Sequence, residues 1–160
     1  MTRSSTKVSK NVTIFGTGEL AKKVGQLSEK NQETIARVLH QGARTIAEDA
    51  KSSMALSPPD GEVYGDHVAS SAGNPPRIDT GDLANAVTTK PLQYSAGVEE
   101  TVVGVFEESG QGEKAVWLEF GTQNIDERPF LRPSYLRNRA QILKNVKKAV
   151  KRQTEQIARQ

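Results

Sequence analysis

The 160-residue chain contains no cysteine, which excludes a disulfide framework, thiolate nucleophiles and cysteine-bound zinc. Aromatic residues make up only 5% of it, with a single Trp, and hydrophobic residues only 35%. A mean hydropathy of −0.58 is low for a self-contained globule, so an elongated subunit that completes its burial against neighbours is expected. Nowhere do about 18 apolar residues run together, as a membrane span requires. Met1 to Lys7 lacks the apolar run of a secretory leader. A soluble chain made in the cytoplasm, with no membrane partner, is the expectation.

Recognisable catalytic frames are missing too. The two histidines, His40 and His67, stand far apart, and no G-x-S-x-G, H-E-x-x-H or Walker pattern occurs. The carboxylate pairs Glu99-Glu100 and Glu107-Glu108 sit beside turn signals, where solvated charge is the ordinary explanation. No catalytic, cofactor-binding or metal-binding residue is assigned, and the chain is expected not to be an enzyme. Asp60, Glu62, Asp66 and His67 share one stretch, but their spacing matches no known ligand set.

What the chain does have is charge, unevenly placed. Residues 1–55 carry 9 basic and 5 acidic groups, 56–131 carry 4 and 13, and 132–160 carry 9 and 1. An acidic middle and a basic tail either attract each other between copies or form separate solvated faces.

Residues 1–11 read as a flexible polar arm. Val12 to Ala21 fits strand-G-x-G-x-x-A, the dinucleotide fingerprint. A Rossmann unit then needs a second parallel strand with an acidic end, and none follows. The reading is instead a short edge strand, a turn, and Thr17 capping a long helix. That helix carries an apolar stripe at Leu20, Val24, Leu27, Ile35, Val38, Gly42, Ile46, Ala50 and Met54. Residues 56–77 have no periodicity and several Gly and Pro, so they read as a long flexible loop. A short helix from Thr80 and antiparallel strands over 87–90, 92–96 and 101–106 follow. Ala115 to Phe120 reads as strand or short helix, and Ile125 to Leu131 as a return along the sheet edge.

The C-terminal stretch is a clean amphipathic helix with Pro133 as its first residue. Leu136, Leu143, Val146, Val150 and Ile157 form its expected packing arc, flanked by Tyr135 and Ile142, with lysines opposite. Those lysines motivate a second reading of the whole chain as a basic-helix nucleic-acid-binding protein. No aromatic residue is interleaved for base stacking, and lysines opposite an apolar stripe are what any soluble amphipathic helix needs.

The densest apolar stretch is Trp117-Leu118-Glu119-Phe120-Gly121-Thr122, followed after a polar spacer by Arg128-Pro129-Phe130-Leu131-Arg132-Pro133. It is read as either the packing centre or a docking surface, or more plainly as a turn feeding the last helix. Glu119, held between Leu118 and Phe120, must be hydrogen-bonded or paired. Arg139 falls inside the apolar arc of the last helix and is its candidate partner.

These two pieces, with Pro76-Arg77-Ile78-Asp79-Thr80-Gly81-Asp82-Leu83 upstream, resemble in order and spacing the neck, or tail-completion, family of long-tailed bacteriophages. The resemblance covers most of the chain. It implies a single α+β domain: a long N-terminal helix and a C-terminal helix packed on a small antiparallel β-sheet, with residues 115–120 helical. It also implies a structural virion protein, a ring of copies, hexameric in such families, at the head-tail junction. The implied partners are further copies, the connector or head-closure proteins, and the tail-tube or tail-terminator proteins. Incidental contact with DNA in the channel is compatible with it. Trp117, Glu119, Phe120, Gly121, Thr122, Arg128, Pro129, Phe130, Arg132 and Arg139 are the candidate subunit or partner contacts. The acidic spacer 123–127 and the length of the 56–77 loop depart from the family pattern.

Overall fold

A long helix forms the middle layer between a small sheet and a second long helix. The computed structural model describes residues 12–13, 29–93 and 99–158, with side chains within 33–90 and 101–156. The elements are β1 (Val12–Thr13), α1 (Glu29–Ala55), β2 (Val63–Tyr64), β3 (His67–Val68), α2 (Asp82–Ala86), β4 (Val87–Gln93), β5 (Glu99–Val105), a 3-10 turn at Glu107–Ser109, α3 (Gly112–Phe120) and α4 (Leu131–Ala158). The fold is α+β, as the sequence implied. The polar arm, the glycine-rich segment after β1, the proposed Thr17 cap and about the first three turns of the expected helix lie outside the described residues, as does the expected β4–β5 turn.

The main sheet is antiparallel in the order β1-β5-β4. β5 is central, pairing Val105 with Val12 on one side and with Val87 on the other. Pro91, opposite Thr101, is tolerated because β4 is an edge strand. At the far end Lys90 lies 4.3 Å from the Phe106 ring centroid and 2.9 Å from Glu108. The ammonium donates to Glu108 and so holds that carboxyl below its ordinary range.

α1 packs on β4 and β5 with one side and on α4 with the other. Ala43, Ile46, Ala47, Ala50 and Met54 join Leu83, Val87, Val103, Val105, Ala115, Phe130 and Leu131 in one core. Ile35 and Leu39 meet Val146 in a second. A helix covered on two sides needs small residues where its neighbours come closest, and α1 has them at Gly42, Ala43, Ala47 and Ala50. A Cβ at Gly42 would lie 2.8 Å from Ile142 Cγ1 and 2.9 Å from its Cγ2. Ile142 is β-branched and stiff at χ1, so Gly42→Ala should cost roughly 1–3 kcal/mol of overpacking, more than the helix-propensity gain of about 1 kcal/mol recovers. Chemical denaturation checks this, and Ile142→Ala, which removes both Cγ atoms, should cost less in the Gly42→Ala background than alone.

Three sequence expectations change. First, α4 meets α1 through Tyr135, Ile142 and Val146, while Leu136 and Leu143 are 53% and 38% exposed. The apolar residues fall on two lines of the helix, and only one of them faces α1. Second, residues 125–130 form no strand; Arg128 N–H donates to Leu118 O at 2.6 Å and folds the segment back over α3. Third, α4 begins at Leu131, two residues before Pro133.

The resemblance implies that the 56–77 segment orders on a neighbouring subunit; within the chain it is held by bonds of its own. β2 and β3 make a small hairpin. The Asp60 carboxylate accepts from Ser71 N–H at 2.7 Å and from the Ser71 hydroxyl and Asn74 amide. The Ser57 and buried Ser70 hydroxyls both donate to Pro75 O. Gly61 is required here by close approach, because a Cβ would strike the Ser70 carbonyl.

Candidate functional site

The two densest motif pieces form one structural unit, and Glu119 is its centre. Any helix begins with about four N–H groups that have no partner inside it. At the start of α4, Glu119 Oε2 accepts from Phe130 N–H at 2.9 Å and Leu131 N–H at 3.0 Å, and Oε1 accepts from Arg132 N–H at 2.7 Å. The next residue is Pro133, which has no N–H to satisfy. One carboxylate 11 to 13 positions back in the chain therefore accounts for the whole first turn, and its negative charge sits at the positive end of the helix dipole. Glu119 is only 1% exposed. Burying a carboxylate is tolerable here because its charge is met by three backbone donors in charge-assisted hydrogen bonds.

This arrangement corrects the proposed Glu119–Arg139 pair. Arg139 is exposed on α4, and the Glu119 carboxylate is taken up by backbone amides. A search for a cationic partner overlooks three N–H groups because backbone donors carry no letter in the sequence. The one legible signal was Pro133, which marks a first turn.

Local geometry explains the other motif positions. Gly121 ends α3 with φ 71° and ψ 176°, and a Cβ there would come within 3.0 Å of Ile125 O. Thr122 holds the following turn: its N–H donates to Ile125 O, and its hydroxyl accepts from Asn124 and Ile125 N–H. Phe130 is 0% exposed in the main core, and the buried Ser134 hydroxyl donates to Phe130 O. Pro129 is half-buried beside it. Arg128 Nε donates to Ser70 O at 2.8 Å, fastening the 56–77 segment to the motif. Arg132 lies 3.5 Å from Glu127. Farther along α4, Arg137 and Asn138 both donate to Asp49 of α1, at 3.0 and 2.9 Å.

The ten candidate contacts therefore divide. Glu119 and Phe130 act inside the subunit. Gly121, Thr122 and Pro129 shape the turn, Arg128 and Arg132 have partners within the chain, and Arg139 is exposed on α4. Trp117 and Phe120, on the same helix as Glu119, are 45% and 60% exposed. Trp117 helps line a groove of about 320 Å³ with Tyr64, Ile78, Asp79, Lys114 and Arg128. Tyr64 and Ile78 are themselves exposed, and the Tyr64 hydroxyl donates to Glu62, which raises the tyrosine's pKa above its ordinary value. Sequence reasoning placed Trp117 and Phe120 but not Tyr64, in a segment without periodicity, or Ile78, which it read only as part of the upstream motif piece. Trp117, Phe120, Tyr64 and Ile78 are thus large apolar side chains left in water. Among the described residues no group of three or more His, Asp or Glu could hold a metal ion, and no helix is long and apolar enough to cross a membrane.

The chain is an α+β subunit whose motif clamps a helix start and leaves aromatic residues exposed beside it. The family described as "Bacteriophage HK97-gp10, putative tail-component" matches residues 18–121, more than half of the chain and including the whole of α3. The chain belongs to this family. It is a structural tail component of a bacteriophage, and its place is in the virion with other virion proteins. Membership speaks for a role without catalysis. No curated protein and no solved structure matches it significantly.

Proposed function

We propose that this tail component forms a homo-oligomeric ring at the head-tail junction and completes the tail there, meeting head-closure or connector proteins on one side and tail-tube or terminator proteins on the other. The observation that carries the reading is the exposure of Trp117 and Phe120 on a helix whose end is fixed by the buried Glu119 clamp. A rigidly presented aromatic pair is what a permanent contact uses, because little side-chain entropy is lost on docking. The order of the three motif pieces and their resemblance to neck proteins point to the junction.

The test has two arms. Light scattering of the purified protein at low and high salt, with negative-stain imaging of large species, should give discrete rings. Trp117→Ala with Phe120→Ala should leave the melting temperature within a few degrees of the original and lower infectious titre by at least tenfold, with tails or heads left unjoined. Normal titre with joined particles overturns the junction role.

A further inference from the structure

The outward face of α4 is the feature that the fold does not use. α4 is the outermost layer and packs chiefly on α1. Two turns apart on its free side stand the exposed Leu136 and Leu143. At about 100° per residue, Arg132, Arg139, Lys144, Lys147 and Lys151 fall within about a quarter-turn of that leucine line. All five are exposed, and α4 has no carboxylate before Glu155. Arg132 approaches Glu127 and Lys151 approaches Glu155, the latter at 3.9 Å, while no ion pair is described for Arg139, Lys144 or Lys147.

We infer that this face, Leu136 and Leu143 framed by Arg139, Lys144 and Lys147, docks onto the acidic 56–131 surface of a second copy of the chain. The inference rests on the ring reading and supplies its contact. Two α4 faces cannot pair with each other, because each presents only cations around its leucines and like charges brought together cost free energy. That rules out an isologous contact through this face. The complementary charge is in the chain itself: residues 56–131 hold 13 acidic and 4 basic groups, and although Glu119 is buried in the clamp, Asp66, Asp82 and Asp126 are exposed. A phosphate backbone would take the lysines but leaves the two leucines in water without a role, so a protein surface fits better. A contact between two different patches of one chain is heterologous, and such contacts propagate head to tail until they close a ring or extend as a filament.

Mixing ordinary and 15N-labelled protein and joining touching amines and carboxylates with a zero-length carbodiimide tests the contact. The expected result is mixed-label crosslinks from Lys144 or Lys147 to Asp or Glu residues within 56–131. The variant Lys144→Glu with Lys147→Glu, shown folded by circular dichroism and melting, should associate at least tenfold more weakly. Crosslinks confined to other carboxylates, association unchanged by the charge reversal, or no association at roughly 1 mM, the weak end of specific affinity, would each overturn the contact. So would duplex DNA binding that the reversal abolishes while self-association persists. The ring reading fails separately: filaments or open chains carrying the expected crosslinks keep the contact and remove the ring, whereas rings indifferent to the reversal keep the ring and remove the contact.

Discussion

Glu119→Ala should lower stability by about 4 kcal/mol, at the upper end of what single substitutions do. The substitution removes a buried carboxylate and leaves Phe130, Leu131 and Arg132 N–H without acceptors at a helix start. Each unsatisfied buried donor costs roughly 1–3 kcal/mol, and relaxation or entry of water reduces the sum. For a chain of this size about 4 kcal/mol corresponds to a fall in melting temperature of roughly 8–16 °C. Glu119→Gln discriminates between a need for charge and a need for shape. Its single carbonyl oxygen can keep two of the amides, but its NH2 group then meets the third donor to donor. About half of the alanine loss is expected. Asp126→Ala, an exposed carboxylate in the same turn region, should stay within about 0.5 kcal/mol. If the Glu119→Gln variant matched the original protein in thermal melts, the charge-assisted clamp would not be what holds α4.

Phe130→Ala should cost about 3–5 kcal/mol. Phe130 is the largest fully buried side chain among the described residues, packed where α1, the sheet and α3 converge. The cavity left by alanine is walled by a β-sheet and helices that cannot all collapse into it, which places the cost high in the range. Phe130→Leu keeps most of the volume and should lose much less. Phe130→Ala keeps the backbone N–H that Glu119 accepts, but the cavity loosens the segment that presents it, so the double variant with Glu119→Ala should fall short of the sum of the two, with a coupling of at least about 0.5 kcal/mol in urea unfolding. Strict additivity would mean that the clamp and the core act independently.

The sequence made the motif's importance readable for a local reason. A Glu between Leu118 and Phe120 in an apolar run requires a partner, and a proline soon after an Arg-Pro-Phe-Leu-Arg segment marks a helix start. The identity of the partner was not readable, since charge counting pointed to Arg139 and the actual donors are main-chain N–H groups. The same limit explains α4: the lines through Tyr135 and through Leu136 stand about 100° apart on the helix, both carry apolar surface, and only the position of α1 decides which is covered. The 56–77 segment shows a third kind of gap. Its order comes from Asp60, Ser57, Ser70 and Arg128 reaching across the chain to backbone atoms, and such contacts leave no period to detect. Where order came from repeating apolar steps, as in α1 from Ile35 to Met54, the sequence reading and the structure agree.

The three-layer arrangement, with α1 between sheet and α4, also sets the order in which the molecule opens. Amides in the middle of α1, around Ala43 to Ala50, are shielded from both sides, so their exchange with deuterium waits on global unfolding. Beyond Val150 the last helix has no described core partner on its outer side, and its final turns can fray without disturbing the sheet. Exchange along α4 should therefore slow steadily from its C-terminal end back towards the Glu119 clamp. The two ends of one helix then behave differently: one is a fixed anchor, and the other is a free lever that can adapt its angle to whatever it meets.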